Sequence, residues 1–146
     1  MAGHTATVSW ERGSGDFFGS SFTRDHRWTF PGGVEVPASA APEFQGNGAC
    51  VDPEEAFVAA LSSCHMLAFL TIAARRGLRV ESYEDRAVGT LGRNARGRTA
   101  VVRVVLRPRI KFNGRKPAGD DLARLHESAH RGCFIANSVS TEVEIR

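Results

Sequence analysis

Two cysteines of this chain lie in segments that could support thiol chemistry. Cys64 sits in the middle of a long apolar stretch, and Cys133 follows a glycine near the C-terminus. Cys50 lies in a glycine- and alanine-containing loop and is taken as incidental, so at most one pair forms within the chain. A cysteine in apolar sequence is often only a small buried hydrophobic residue, and spacing alone does not bring Cys64 and Cys133 together. Both interpretations are open at this point.

A reactive thiol also needs a positive charge close by, because the thiolate is the nucleophile. Arg24 and Arg27 are the candidates, both in an extended run of the N-terminal third. Glu54 could hold such an arginine through a paired salt bridge, which the planar guanidinium favours. The structural alternatives are a surface strand arginine and a glutamate placed at a helix N-terminus by the helix dipole.

The segment around Cys64 has the pattern of a long helix. Asp52 is a suitable N-cap and Pro53 a suitable first residue, residues 56–74 are apolar on nearly every side, and Gly77 ends the pattern. A helix apolar all round is either a buried central helix or a membrane span. The polar centre at residues 62–65 favours a buried helix, surrounded by a sheet or by a second subunit.

The remaining pattern is mostly that of β-strands. The predicted strands lie at residues 4–10, 21–30, 34–36, 78–90, 99–112 and 138–145, and a second helix, capped by Asp120 or Asp121, lies at residues 122–131. The first three strands form a meander that turns at residues 31–33, and residues 38–52 form a loop. The order β-β-β-α-β-β-α-β predicts an α+β fold in a single domain over residues 1–146.

Composition excludes several classes of protein. The chain has 42% hydrophobic and 24% charged residues, which is ordinary for a globular protein and unlike a disordered one. The net charge is +3 with no block of five positive residues, so a nucleic-acid-binding tail is not indicated. The N-terminal residues lack the apolar segment of a secretory signal, so we expect a cytoplasmic protein, where paired cysteines are more often catalytic, redox-sensing or metal-binding than structural.

Three segments together resemble a known family. Residues 52–64 read DPEEAFVAALSSC, similar to a Pro-Glu pair followed, ten residues after the glutamate, by a peroxidatic cysteine. Residues 129–133 read AHRGC, similar to a segment that carries a resolving cysteine, and residues 24–27 place arginine before a Pro-Gly-Gly turn. On these segments the chain resembles the OsmC/Ohr family of thiol-dependent peroxidases, from about Trp10 to the C-terminus.

The resemblance implies a role for each of four residues. Cys64 would attack the peroxide and become a sulfenic acid, and Cys133 would condense with it to a disulfide. Arg24 would stabilise the Cys64 thiolate and polarise the peroxide, and Glu54 would orient Arg24. No cofactor and no metal are expected.

The resemblance also implies an assembly and a reductant. Family members are intertwined homodimers in which antiparallel sheets wrap around long central helices, with the sites at the interface. In the organic-hydroperoxide branch, lipoylated proteins or dihydrolipoamide reduce the disulfide. We therefore expect a homodimer that meets a hydroperoxide and a dithiol reductant, and neither a nucleic acid nor a membrane.

Two departures from the family pattern leave the substrate open. Residues 134–137 read FIAN where the organic-hydroperoxide branch has Pro-Tyr, and His65 follows Cys64 where an aromatic or small residue is common. These differences indicate an OsmC-like subgroup and leave the preferred peroxide and the reductant undetermined. Phe57, Leu61 and Phe134 are predicted to line an apolar pocket that favours alkyl or lipid hydroperoxides.

The spacing of Glu54 and Cys64 bears on the assembly. On one continuous helix the two residues are about 15 Å apart along the axis, too far for one guanidinium to touch both. Either the helix is broken near its start, or Glu54 and Arg24 come from one subunit and Cys64 from the other. A two-fold dimer with composite sites is the prediction.

Two competing functions remain. One is a zinc site, because the chain contains four ligands of the kind that zinc prefers, namely Cys64, His65, His130 and Cys133. Adjacent side chains on a helix, however, point about 100° apart and cannot easily chelate one ion. The chain could instead be a non-catalytic binding or stress protein whose cysteines are simply buried, and its pI of about 9.1 leaves weak polyanion binding open.

Overall fold

The computed structural model describes residues 3–146, which form two compact units. The first unit covers Met1–Ala56 and the second Phe57–Arg146. The prediction of a single domain over residues 1–146 stays a prediction.

The first unit contains a three-stranded antiparallel meander. Its strands are β1 (Thr7–Ser9), β2 (His26–Thr29) and β3 (Glu35–Ala38), in the order β1-β2-β3. The turn between β2 and β3 closes with a hydrogen bond from the Phe30 amide to the Val34 carbonyl, and Gly33 has a φ of +84°, which favours glycine. The meander confirms the prediction, with β1 and β2 shorter than predicted and β3 shifted toward the C-terminus. A 3₁₀ turn, Pro42–Phe44, interrupts the loop that follows.

Helix α1 (Pro53–Arg75) begins and ends close to the predicted positions. The Asp52 Oδ1 atom accepts the Glu55 amide at 2.7 Å, and Glu55 Oε2 accepts the Asp52 amide at 3.1 Å, a reciprocal capping box. Gly77, with a φ of +70°, follows the last turn. The helix is continuous, so the alternative of a break near its start is wrong.

The second unit contains two small sheets. Strands β4 (Arg79–Asp85) and β7 (Pro108–Asn113) pair antiparallel in one of them. Strands β5 (Val88–Arg93), β6 (Thr99–Leu106) and β8 (Glu142–Ile145) form the other in the order β5-β6-β8, with β8 parallel to β6. Helices α2 (Gly119–Gly132) and α3 (Phe134–Asn137) complete the unit.

The prediction of two long strands at residues 78–90 and 99–112 is wrong. Each of them breaks in the middle, and its halves join different sheets. The Asp85 carboxylate accepts the Arg107 amide at 2.6 Å, which ties the two breaks together. Pro108, which has no amide hydrogen, begins the next strand. The observed order is therefore β-β-β-α-β-β-β-β-α-α-β.

The prediction for the second helix is also corrected. Helix α2 starts at Gly119 with Ala118 as N-cap and no capping side chain, so Asp120 and Asp121 lie inside its first turn rather than at the cap. There the two carboxylates favour the positive end of the helix dipole. Helix α3, which the sequence did not predict, follows directly after Cys133.

Two apolar cores hold the second unit together. One core joins the second half of α1 to α2 and the β4–β7 sheet, around Phe69, Ala73, Leu78, Leu125 and Ala129. The other joins the first half of α1 to β6, β8 and α3, around Leu61, Val104 and Leu106. The chain thus has a mixed fold of helices and sheets, which agrees with the predicted α+β class.

Helix α1 is long and apolar enough, by length and composition, to cross a membrane, and 22% of its most apolar stretch is buried within the chain. Core helices of soluble proteins pass the same test. The four buried residues, Leu61, His65, Phe69 and Ala73, follow each other at intervals of four and form one stripe. The side chains on the other faces of α1 are partly or fully exposed.

Candidate functional site

The second unit brings Cys64 and Cys133 together. Cys64 lies at the centre of α1, and Cys133 is the non-helical residue that joins α2 to α3, with φ of −78° and ψ of 108°. The two thiols are neighbours, because Cys64 is close enough to raise the pKa of Cys133. All three cysteines are free, so the pair is not bridged by a disulfide. Two neighbouring thiols are the arrangement from which a disulfide can form.

The surroundings of Cys133 keep it protonated. Its side chain is 1% exposed, and its Sγ atom accepts the Ala136 amide at 3.4 Å as the N-cap of α3. Burial raises the pKa of Cys133, the hydrogen bond from the Ala136 amide lowers it, and the neighbouring Cys64 raises it further. Cys64 is only half-buried. Cys64 is therefore the more accessible thiol, and Cys133 is an uncharged thiol beside it.

A pair of buried histidines lies beside the cysteines. His65, the residue after Cys64, places its Nε2 atom 3.0 Å from His126 Nδ1, and the two rings lie edge to edge, nearly in one plane, with centroids 5.3 Å apart. His126 also stacks on Phe69 at 4.6 Å. Burial, with smaller contributions from His126 and His130 and against an opposing effect of Asp85, lowers the pKa of His65 to about 4. Burial also lowers the pKa of His126. Both imidazoles of the bonded pair are therefore neutral at physiological pH.

The sequence did not single out His126. His65 was noted only as a departure from the family pattern, and 61 residues separate it from its partner. One signal was present: residues 122, 125, 126 and 129 share one face of α2, and this face contains Leu122, Leu125 and Ala129. A histidine within such a stripe is placed in the core, where its ring nitrogens need partners.

Arg24 and Glu54 line one small cavity in the first unit. The cavity measures about 180 Å³, and His26, Ser39 and Phe44 also line it. The Arg24 Nη1 atom donates to the carbonyls of Ser20 (2.8 Å) and Phe22 (2.5 Å). Among residues 3–146, Arg24 and Glu54 do not form a salt bridge with each other, so the predicted orientation of Arg24 by Glu54 stays a prediction.

Arg27 and Cys50, the other candidates, have ordinary surroundings. Arg27 Nη1 lies 3.9 Å from Glu35 Oε1 on the neighbouring strand, with both side chains exposed. Such an exposed pair contributes little to stability. Cys50 is half-buried in the loop before α1.

The three predicted substrate-binding residues lie in different surroundings. Leu61 is buried against Val104 and Leu106, and Phe57 packs on the same core while partly exposed. Phe134 is 80% exposed at the start of α3, next to Cys133. Phe57 and Phe134 thus offer apolar surface to a ligand, and Leu61 supports them from the core. The substrate-binding role of all three stays a prediction.

The zinc alternative has no ligand set in the part of the chain that the structure describes. No group of three or more histidine, cysteine, aspartate or glutamate side chains is arranged there to hold a metal ion. His65, one of the four proposed ligands, uses its Nε2 atom to bond His126 instead.

Known proteins similar to this chain share its fold. The family described as OsmC-like protein matches residues 46–146. An OsmC-like protein of unknown function from Vibrio cholerae O1 biovar eltor is 51% identical, with a TM-score of 0.96 over 100% of this chain and 99% of that one. No curated protein sequence matches the chain.

Two more distant structures have the same fold. An organic hydroperoxide resistance protein from Elizabethkingia anophelis is 19% identical, with a TM-score of 0.74 over 99% of this chain and 93% of that one. An organic hydroperoxide resistance protein from Legionella pneumophila is 18% identical, with a TM-score of 0.72 over 100% and 96% of the two chains. At this identity the likeness concerns the fold alone.

Proposed function

The chain belongs to the OsmC-like protein family, and from this premise we propose that it is a thiol-dependent peroxidase that reduces hydroperoxides, organic ones in particular. The observation that carries the proposal is the proximity of the Cys64 and Cys133 thiols, which lie far apart in sequence. The organic hydroperoxide resistance proteins of the same fold support a role with peroxides.

The proposed reaction has two chemical steps before reduction. The Cys64 thiolate attacks the terminal oxygen of the hydroperoxide, an S–O bond forms, the O–O bond breaks, and the alkoxide leaves and takes up a proton as the alcohol. Cys133 then attacks the Cys64 sulfenic acid, an S–S bond forms, the S–O bond breaks, and the hydroxide leaves as water with the proton of Cys133. A dithiol, such as a lipoyl group on a protein, would restore both thiols by disulfide exchange.

The environment of each thiol supports the order in which the two react. Burial holds the pKa of Cys133 above its usual value, so Cys133 is a weak nucleophile toward a peroxide in solution. Cys64 is the more exposed of the two. Cys133 therefore acts after Cys64 has become electrophilic, which is the resolving role.

Arg24 and Glu54 are the proposed electrostatic partners of Cys64. Arg24 uses only Nη1 for its two carbonyl partners, so its remaining N–H groups are available to a thiolate or a peroxide oxygen. Glu54 lines the same cavity, and its carboxylate is a suitable acceptor for the guanidinium. We propose that Arg24, oriented by Glu54, stabilises the Cys64 thiolate in the working enzyme.

We propose that the working enzyme is an intertwined homodimer in the cytoplasm. Helix α1 is continuous, so Glu54 and Cys64 are about 15 Å apart along its axis, which favours Arg24 and Glu54 of one subunit acting on Cys64 of the other. The apolar faces of α1 outside its buried stripe favour a second copy as their cover.

Stopped-flow oxidation of the reduced protein tests the proposal. One equivalent of tert-butyl hydroperoxide or hydrogen peroxide should consume two thiols and form the Cys64–Cys133 disulfide, identified by peptide mass. Cys64→Ser should lose all turnover, and Cys133→Ser should stop at the sulfenic acid or oxidise further. Cys50→Ser is the matched control and should keep wild-type rates.

A binding or stress protein with buried cysteines would give the opposite result. Its thiols would survive one equivalent of either peroxide on the timescale of seconds, and Cys64→Ser would behave as wild type. That outcome would overturn the peroxidase proposal.

A further inference from the structure

One side-chain hydrogen bond joins helix α1 to helix α2 within residues 3–146, and it lies next to the cysteine pair. The bond runs between His65 Nε2 and His126 Nδ1 over 3.0 Å. His65 directly follows Cys64 on α1, and α2 leads from His126 to Cys133 at its end. The bond therefore connects the two elements that carry the thiols.

The surroundings make this bond a rigid one. His65 is 1% exposed and His126 8%, so water does not compete for their nitrogens. The two imidazole rings lie within 10° of one plane, and Phe69 stacks on a face of the His126 ring at an interplanar angle of 29°. Among the described residues the His65 Nδ1 atom has no hydrogen-bond partner, so the single bond to His126 is the polar contact of this ring there.

The other contacts between α1 and α2 do not specify a register. They are made by apolar side chains, Phe69 and Ala73 on α1 and Leu125 and Ala129 on α2. Apolar burial is roughly proportional to area and has no preferred direction. A disulfide, in contrast, requires its two Cβ atoms within roughly 3.5–4.5 Å of each other. A small slide of one helix along the other would move the Cβ atoms of the two cysteines out of this range.

We propose that the His65–His126 pair is a positioning device that sets the register of α1 against α2 and so holds Cys64 and Cys133 at disulfide-forming distance. The inference rests on the proposed function in so far as Cys64 and Cys133 are the redox pair. His65 and His126 are positioning residues, and the cysteines carry the chemistry.

The test measures the equilibrium between the cysteine pair and glutathione, without any peroxide. Oxidised glutathione takes two electrons from Cys64 and Cys133, the intramolecular disulfide forms, and two molecules of reduced glutathione are released. The equilibrium constant gives the effective concentration of one thiol at the other, which depends on their relative position. Thiol alkylation followed by mass spectrometry of the tryptic peptides reads the constant in a Cys50→Ser background.

Amide side chains give matched variants at each ring. The amide of asparagine reaches the position of a histidine Nδ1 atom, and that of glutamine reaches the position of Nε2. His126→Asn and His65→Gln therefore keep a polar atom where the bond is made, whereas His126→Gln and His65→Asn carry the same amide at the wrong place. Each pair differs by one methylene and not in polarity.

The register-losing variants, His126→Gln and His65→Asn, should lower the equilibrium constant about tenfold, equivalent to about 30 mV in the two-electron potential. His126→Asn and His65→Gln should stay within about threefold of the wild type, since each can still make a single interhelical hydrogen bond. Leu125→Val, which loosens the same core without touching the bond, should also stay close to the wild type.

Several outcomes would overturn the inference. It fails if all four histidine variants shift the constant equally, if Leu125→Val shifts it as much as His126→Gln, or if the wild-type pair does not form a disulfide with glutathione. If His126→Gln does not fold, the comparison of His65→Asn with His65→Gln decides alone. Because peroxide is absent, a protein that proved inactive toward hydroperoxides could still pass this test, so the two proposals fail separately.

Discussion

Cys64 and Cys133 differ in what surrounds their sulfur atoms, and this difference assigns them different reactivity. Cys133 is 1% exposed, hydrogen-bonded by the Ala136 amide and close to a second thiol. Burial raises the pKa of Cys133, so its thiolate forms only as the pH rises above the usual range for cysteine. Cys64, on α1, is only half-buried.

We expect iodoacetamide to label Cys133 in the native reduced protein at least about tenfold more slowly than Cys64 at pH 7.5, because both access and thiolate fraction are reduced. The labelling rate of Cys133 should keep rising with pH beyond the usual titration range of a cysteine thiol, and Cys50 serves as the internal reference for reagent concentration. Timed labelling and peptide mass spectrometry measure all three rates.

Unfolding supplies the control for this prediction. In denaturant the three cysteines should react at rates within about twofold of each other, since the environment that separates them is lost. Equal rates for Cys64 and Cys133 in the folded protein would contradict the assignment of Cys133 as the protected, resolving thiol.

At the scale of elements, Asp85 fixes the point where two long strands change sheets. Its Oδ1 atom accepts the Arg107 amide at 2.6 Å, and its Oδ2 atom accepts the Ser62 hydroxyl of α1. The carboxylate thus joins the end of β4, the break before β7 and the middle of the helix that carries Cys64. Removing it leaves a backbone amide and a hydroxyl without their acceptor.

Asp85→Ala should therefore lower the free energy of unfolding by about 1–3 kcal/mol, measured by urea denaturation followed by circular dichroism. Asp85→Asn keeps an oxygen acceptor and should lose less. The neighbouring Glu84, whose ion pair with Arg86 is exposed, is the control, and Glu84→Ala should change stability by no more than about 0.5 kcal/mol. Equal losses of unfolding free energy in Asp85→Ala and Glu84→Ala would contradict this role of Asp85.

The sequence predicted the elements whose signals are local and missed those made by distant contacts. Asp52, Pro53 and Gly77 bounded α1 because capping and termination depend on a few neighbouring residues. The break in each long strand depends on Asp85 meeting the Arg107 amide, 22 residues away, which no local pattern reveals. Helix α3 is only four residues long, and a cysteine sulfur caps it, an unusual cap.

The candidate site divides in the same way. Four site residues could be named because the sequence around them resembles a family: Cys64, Cys133, Arg24 and Glu54. The structure adds that the thiols of the two cysteines lie close together. The His65–His126 bond could not be predicted from the sequence, because it forms between helices whose mutual register depends on the packing of the whole second unit. A hydrophobic pattern predicts which face of α2 is buried but not which residue of α1 it meets.

At the scale of the whole molecule, the apolar surface that remains exposed points to a second copy of the chain. Leu67, in the middle of α1, is 58% exposed although α1 is apolar on nearly every side. The first unit also exposes large apolar side chains, namely Val8, Trp10, Phe17, Phe18, Phe30, Val34 and Phe44. Exposed apolar residues in such number are typical of a surface that another chain covers.

Leu67→Glu tests the homodimer directly. In a monomer, a charge at this exposed position should leave stability nearly unchanged, whereas at the centre of a dimer interface it should weaken association by about 2–4 kcal/mol. Sedimentation velocity at micromolar concentrations should give a dimer for the wild type and a monomer for the variant. Leu67→Ala, which removes apolar contact without adding charge, should remain largely dimeric.

The proposed dimer has a consequence for activity, because Arg24 and Glu54 of one subunit are proposed to act on Cys64 of the other. Mixing inactive Cys64→Ser with inactive Arg24→Ala protein should then restore one intact site in each mixed dimer, because one subunit contributes Arg24 and the other Cys64. Peroxidase activity of about half the wild-type value per mixed dimer is expected after subunit exchange. If Arg24 acted on the Cys64 of its own chain, no mixed dimer would contain an intact site, and the mixture would stay inactive.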